Sequence, residues 1–344
     1  MILHVVYAEK FMAPFINFVN QHFNPSQHLF FVMGNTRKYP VPQRSNVIIV
    51  KMNVVHKIFA LFRVSLLMNR CDKIILHGLF RGKIIILLYI QRWLLKKCYW
   101  IIWGKDLYVY NTNKQNAAWS IKEFIRRPVI KNIAHLVTYV RGDAALAQKW
   151  YGAIGKYEEC IVYPSNLYSD YDIASVEEND TNIQVGNSAD PSNEHIEIFD
   201  MLYKFRDKNI KIYVPLSYGD KSNIKTVIKY GQEMFGDKFI PLTDFMPFES
   251  YLKFLSNMDI AVFNHKRQQG MGNAITLLGL GKKIYMRKHV SSWDVFGDLN
   301  IKVFDVTTLS IDHLDSDAAE SNKNYVKAYF SPENLRLQLQ RLFS

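Results

Sequence analysis

Twice along the chain, short apolar runs alternate with stretches of helical pattern, and a polar segment separates the two series. The first series has runs at Ile2–Tyr7, Leu29–Met33, Asn46–Val50, Lys73–Leu76, Tyr99–Ile102, Leu136–Tyr139 and Glu159–Val162. Helix-length segments lie between them at Phe11–His22, Val54–Met68, Lys83–Leu95, Ile121–Lys131 and Gly142–Tyr151. Parallel strands need a long crossover, so strand–helix alternation builds βα units on a parallel sheet. Pro164, Ser165, Asn166 and the polar stretch Ser175–Thr181 break the pattern. It then restarts with strands at Ile183–Val185, Ile210–Val214, Lys238–Pro241, Ile260–Phe263 and Lys283–Met286. Helices at Asn193–Phe205, Ser222–Phe235, Pro247–Asn257 and Asn273–Leu280 connect them. The prediction is an α/β fold of two doubly wound domains, at 1–165 and 183–325, joined by a linker at 166–182. A C-terminal helix within 326–344 is expected to pack back toward the first domain.

A chain of 344 residues fits two such domains and can bury a core without disulfide or metal staples. Its three cysteines are widely spaced, which fits a reducing compartment. The formal charge of +12 draws in anions. No block of consecutive bases resembles a disordered nucleic-acid arm, and Met1–Tyr7 reads as a first strand, not an export signal. Gln91, Arg92, Lys96 and Lys97 interrupt the apolar stretch 84–103 too early for a bilayer span. The basic, aromatic segment from Arg81 to Trp103 is instead either a buried helix with charged ends or a patch lying on a membrane surface.

Two doubly wound domains facing each other would leave a cleft at the C-terminal ends of both sheets, where open α/β folds bind ligands. Three strand exits in the second domain carry the chemistry. After Val185 comes Gly186, then Asn187, Ser188, Asp190, Pro191, Ser192 and Asn193, a polar loop opening a helix whose free N–H groups can take a phosphate. Asp190 is either a helix cap or a general base. After Val214, Ser217 and Tyr218 can touch phosphate or ribose. After Phe263 come Lys266, Arg267, Gln269, Gly270, Gly272 and Asn273, where glycines admit a ligand to the backbone and Arg267 can grip a diphosphate. Each of these also has a plain reading as a capped turn beside solvated bases.

In the first domain, His77, Asp106 and Asp143 stand at strand exits and are the candidates for taking a proton from a sugar hydroxyl. Trp103 and Tyr108 either stack on sugar or pack under the loop. The position after the first strand lacks the Gly-x-Gly-x-x-Gly of a dinucleotide site. No metal-ligand spacing and no cofactor motif is present, which favours transfer chemistry without a metal.

Several of these stretches carry a family resemblance. His77-Gly78-Leu79-Phe80, Trp103-Gly104-Lys105-Asp106-Leu107-Tyr108, Arg141-Gly142-Asp143, Val185-Gly186-Asn187-Ser188 and Arg267-Gln268-Gln269-Gly270 resemble the enterobacterial TDP-Fuc4NAc:lipid II Fuc4NAc transferase family. So do Asp190 with Ser192-Asn193-x-His195, Val214-Pro215-x-x-Tyr218 and Phe330-Ser331-Pro332, all in matching order. The chain departs from the enterobacterial pattern at Lys105, Ser217 and Asn273. Gln269 and Leu277 occupy the places where larger retaining families carry a glutamate pair. The resemblance implies a GT-B fold, a dTDP- or UDP-sugar donor and a polyprenyl-diphosphate-linked oligosaccharide acceptor. It also implies a peripheral place on the anionic cytoplasmic face of the bacterial inner membrane, in O-antigen or enterobacterial common antigen synthesis. A non-catalytic anion- or nucleic-acid-binding protein and a nucleotide-sugar epimerase are the competing readings.

Overall fold

The computed structural model describes residues 1–50, 54–80, 82–112, 116–170 and 180–344. Arg81 and residues 171–179 of the expected linker lie outside the described residues. The chain divides into two compact units, Met1–Ser165 with Pro332–Ser344, and Asn166–Ser331.

The first unit is built on β1 (Ile2–Tyr7), β2 (His28–Met33), β3 (Val47–Ile49), β4 (Lys73–His77), β5 (Cys98–Ile101), β6 (His135–Val137) and β7 (Lys156–Glu158). All pairings are parallel, in the order β3-β2-β1-β4-β5-β6-β7. The second contains β8 (Thr181–Val185), β9 (Ile210–Pro215), β10 (Phe239–Leu242), β11 (Ile260–Phe263), β12 (Lys283–Met286) and β13 (Phe304–Asp305). These too are parallel, in the order β10-β9-β8-β11-β12-β13. Central strands such as β5, β11 and β12 are buried along their whole length. A parallel sheet covered by helices on both faces calls for continuous apolar runs of this kind. In each sheet the strand order reverses beside the first strand of the unit. The crevices of this architecture therefore open between the exits of β1 and β4, and between those of β8 and β11.

Local chemistry moves several element ends from their expected places. The helix expected over Lys83–Leu95 stops at Ile90, and Arg92–Lys97 continues as a 3₁₀ turn. A strand expected over Glu159–Val162 is absent from the described ladder. Val162 takes a left-handed φ of 65°, and the Ile161 N–H donates to Gln338 Oε1 at 2.8 Å. The helix expected from Asn193 starts at His195, because Asp190 caps a separate 3₁₀ turn over Pro191–Asn193 and Glu194 turns left-handed. Trp103–Tyr108, expected as a loop, enters a helix at Lys105–Thr112.

The expected boundary at 325/326 falls at 331/332. The helix Ser316–Tyr329 packs on Met271–Gly279 within the second unit. Only Pro332–Phe343 joins the first unit, where Leu342 O accepts from Lys73 Nζ and the Phe343 ring meets His28. The start of the expected linker belongs to the second unit. Tyr168 is buried there, its hydroxyl donating to Gly279 O at 2.8 Å.

Candidate active site

Three loops leave the adjacent strands β9, β8 and β11 at their C-terminal ends, at the strand-order reversal of the second unit. The first turns at Gly186, with φ of 66°. A Cβ there would lie 2.8 Å from both Asn193 Oδ1 and His195 Nε2, so a side chain is excluded by conformation and by space. Asn193 organises the rest of this loop. Its Oδ1 accepts from Asn187 N and from His265 Nε2, each at 3.0 Å, while its Nδ2 donates to Asp190 O and toward Ser188 Oγ. The Asn187 donor and the Asp190 acceptor orient the amide, so His265 must carry its proton on Nε2. Burial pushes His265 down to about 3, Arg267 adding to the effect, which leaves it a neutral donor.

The second loop is stitched to the first. Ala189 and Gly219 form a parallel bridge, and Ala189 N donates to Tyr218 O at 2.7 Å. Tyr218 is half exposed, with its hydroxyl turned inward to accept from Asn187 Nδ2 at 3.1 Å. Ser217 precedes it, partly buried.

The third loop closes on the first through Lys266 N, which donates to Ser192 O at 3.0 Å. Arg267 Nη2 pairs with Asp190 Oδ2 at 3.0 Å, and Lys266 Nζ pairs with Glu194 at 2.8 Å. Gly270, with φ of 67°, starts the helix Met271–Gly279, whose first turn holds Gly272 and Asn273. Ser192 Oγ lies 2.6 Å from Asp190 Oδ1 and 2.9 Å from Gln269 Oε1, joining both loops.

Burial by itself would raise the Asp190 carboxyl. Ser192 and Arg267 outweigh it and hold the group below the usual carboxylate range. Asp190 is thus an anion that caps a turn and orients an arginine, a weak proton acceptor near neutrality.

Around these loops lie buried polar atoms with no hydrogen-bond partner: Asn187 Oδ1, both ring nitrogens of His195, both amide atoms of Asn264, and Gln269 Nε2. Burial pushes His195 down to about 4. An unpaired buried polar group costs about 1–3 kcal/mol, and these gather around one strand-order reversal. The sequence motifs include His195 and His265 without a role for either, and Asn264 was not singled out there. Asn264 and His265 follow β11, His195 starts the helix after the capped turn, and that adjacency was the available signal.

The first-unit candidates have a different fate. His77 is fully buried, with Nδ1 2.7 Å from the Tyr163 hydroxyl and Nε2 3.3 Å from His4 Nδ1, and burial pushes it down to about 3. Asp106 is buried and accepts from Leu79 N, Trp103 N and Trp100 Nε1 at 2.7–2.9 Å. Burial raises its pKa against the pull of those three donors. Asp143 is buried and accepts from the Tyr108 hydroxyl at 3.2 Å. The structure therefore finds all three candidates buried instead of open at the strand exits. These groups order the loops after β4, β5 and β6, and the residues singled out in the second unit are the ones brought together. Among the described residues, no three His, Cys, Asp or Glu side chains gather as a metal set.

Asn193→Ala is expected to cost about 2 kcal/mol, because it strands the Asn187 N–H and leaves His265 without its acceptor. Urea unfolding of the variant against the parent measures this. An unchanged midpoint would remove Asn193 as the organiser of the loop.

Two all-parallel doubly wound sheets, with polar Gly-containing loops at the strand-order reversal of the second, have the architecture of the GT-B fold. Solved structures agree on the fold. HepE of Anabaena, in complex with UDP-glucose, superposes with a TM-score of 0.67 at 10% identity, covering 99% of each chain. A Rickettsia africae glycosyltransferase gives 0.65 at 14% identity, over 99% of this chain and 97% of its own. An E. coli trehalose-6-phosphate structure bound with UDP-2-fluoro glucose gives 0.63 at 9% identity, over 100% and 99%. Residues 9–336 match the family described as 4-alpha-L-fucosyltransferase, glycosyl transferase group 56, and the chain belongs to that family.

Proposed function

We propose that the enzyme moves a 4-acetamido-4,6-dideoxy sugar from a dTDP- or UDP-linked donor to an undecaprenyl-diphosphate-linked oligosaccharide. The setting is the cytoplasmic face of the bacterial inner membrane, in surface polysaccharide synthesis. The carrying observation is the set of unpaired buried polar atoms of Asn187, His195, Asn264 and Gln269 around the loops that leave β8 and β11. A nucleotide sugar supplies hydroxyl, carbonyl and phosphate partners for such groups. The family assignment and the UDP-sugars bound by the structural neighbours support the same donor class.

In this reading Arg267 and the N-terminus of Met271–Gly279 meet the charge that develops on the departing diphosphate. Gly270 lets the backbone approach the ligand, Tyr218 and Ser188 assist, and Asp190 positions Arg267. The first unit holds the acceptor. No helix of the described residues is long and apolar enough to cross a membrane, so association with the bilayer is peripheral in this reading.

A panel of dTDP- and UDP-sugars with a lipid-linked acceptor tests the assignment, with the product linkage read by NMR. The expected result is transfer from a deoxy-acetamido donor that persists in EDTA. Failure with every donor, together with salt-sensitive nucleic-acid binding, would sink it. Conversion of the donor without acceptor would assign an epimerase.

A further inference from the structure

The excess positive charge lies wholly in one unit. Met1–Ser165 with Pro332–Ser344 has 25 Lys/Arg against 8 Asp/Glu, whereas Asn166–Ser331 has 18 against 23. From Lys10 to Lys105 there are 15 bases and one acid, Asp72, which pairs with the N-terminal ammonium. A diphosphate site on the second unit leaves this concentration of charge unexplained.

The same unit turns apolar side chains outward on neighbouring helical segments. Phe59 and Phe62 lie on Val54–Arg70, Ile90 ends Gly82–Ile90, Trp93 lies in the following 3₁₀ turn, and Ile121 and Phe124 lie on Ala117–Asn132. All six are between 60% and 72% exposed. The spacing of three within each helical pair puts both members on one side. Val64, Leu88 and Val129 already fill the core side of these helices, so the outward rows are surplus to the core.

The rows are tied together. Gly82–Ile90 packs on both other helices. Tyr89 and Phe124 have ring centroids 6.4 Å apart, and Trp93 Nε1 donates to Asn69 Oδ1 of Val54–Arg70 at 2.9 Å. Exposed Arg63, Lys83, Lys96 and Lys122 stand on the same elements. Lys97 does not join them, because its ammonium is spent on the carbonyls of Asn69 and Cys71 at the end of Val54–Arg70.

We propose that this face docks on an anionic lipid bilayer, with the apolar side chains entering the headgroup boundary and the four bases meeting lipid phosphates. Bulky apolar and tryptophan side chains ringed by Lys and Arg are what such an interface binds, and adjacent bases add to the attraction. A second copy of the chain is the other occupant an apolar face could take, but two units this cationic repel each other. The proposal rests on the lipid-linked-acceptor reading only for its purpose, which is to hold the acceptor unit at the membrane.

The test is co-sedimentation of the full chain with phosphatidylcholine vesicles and with vesicles containing phosphatidylglycerol, without donor or acceptor. The wild type is expected to bind the anionic vesicles at least about tenfold better, and to lose that margin at high salt. Phe62→Ser/Ile90→Ser/Phe124→Ser, at exposed positions, is expected to lose about tenfold with an unchanged circular dichroism spectrum. Arg63→Glu/Lys96→Glu/Lys122→Glu is expected to lose the preference for anionic lipid. Lys225→Glu/Lys229→Glu in the second unit is expected to bind as wild type. No binding by the wild type, or full binding by the apolar variant, would overturn the proposal. So would a wild-type dimer that the apolar variant dissociates, which assigns the face to a second copy. Because vesicle binding is read without transfer, a failed donor panel with intact binding would count against the substrate assignment alone.

Discussion

Arg267→Ala is expected to lower sugar transfer by about 10²- to 10³-fold, the scale seen when one preorganised donor to a developing oxyanion is removed. Arg267 is largely buried and held in place by Asp190 Oδ2 at 3.0 Å and by the Gln268 carbonyl at 3.3 Å. Alanine removes the cation and also leaves the Asp190 carboxylate without it, so that in the proposed donor site the carboxylate would face the phosphates unshielded. Two further variants separate these contributions. Arg267→Lys keeps the charge but loses the planar fork, and is expected to retain more activity than alanine. Adding Asp190→Asn to Arg267→Ala is expected to recover part of the loss, because the repelling carboxylate is gone. Donor affinity by calorimetry and steady-state turnover read both outcomes. An alanine variant with unchanged affinity and turnover would remove the diphosphate from this loop. A double variant no better than the single would remove the shielding argument.

The alternation of βα units was legible because central strands such as β5 and β11 are buried along their whole length and so read as unbroken apolar runs. The loops at 186–193 and 265–274 were legible because Gly186, Pro191 and Gly270 punctuate strand exits with residues that turns and helix starts require. The pairing of Arg267 with Asp190 across 77 positions was not legible, since nothing local to either residue records it. The fate of His77, Asp106 and Asp143 was hidden for a related reason. A strand-exit position is open or closed according to what packs over it, here Tyr163 over His77 and the indole of Trp100 on Asp106. Helical spacing likewise fails to distinguish a row that faces a core from one that faces outward. Phe59, Phe62 and Leu66 have the spacing of a buried stripe, yet all three are exposed. The segment from Arg81 to Trp103 had two open readings, and the structure divides it. Ile84, Leu88, Leu94 and Leu95 are core, whereas Ile86, Ile90 and Trp93 face outward.

Five histidines are expected to make the protein acid-sensitive well above the carboxylate range. Burial pushes His28 and His195 down to about 4, His77 and His265 to about 3, and His4 well below its ordinary value. In the first unit three of them form one hydrogen-bonded row. His28 Nδ1 meets His4 Nε2 at 3.0 Å, His4 Nδ1 meets His77 Nε2 at 3.3 Å, and His77 Nδ1 meets the Tyr163 hydroxyl, which accepts from Trp103 Nε1. Each nitrogen pair needs a lone pair on one side, so the row admits at most one extra proton before an N–H faces an N–H. The unfolded chain has no such restriction and titrates near pH 6.5. These groups therefore favour the folded state fully above about pH 6.5, and that advantage is lost as pH falls toward 4, where the native state begins to accept protons. Each proton refused costs about 1.4 kcal/mol per pH unit, so the first unit loses up to about 4 kcal/mol per unit and the second up to about 3. Asp106 acts in the opposite direction, because its raised pKa lets the native state take up a proton that the unfolded chain releases, and it offsets at most one of the three in its unit. Against a domain stability of about 5–15 kcal/mol, the first unit is expected to unfold near pH 5. Urea titrations between pH 7.5 and 5, followed by circular dichroism, measure the slope. His4→Phe, which stacks in the place of an imidazole already 4.5 Å from the Phe30 ring centroid, should flatten it by about one proton whatever it does to absolute stability. A stability that stays level from pH 7 to 5 would show that these side chains take up protons in the native state, and the neutral row across β2, β1 and β4 would have to be abandoned.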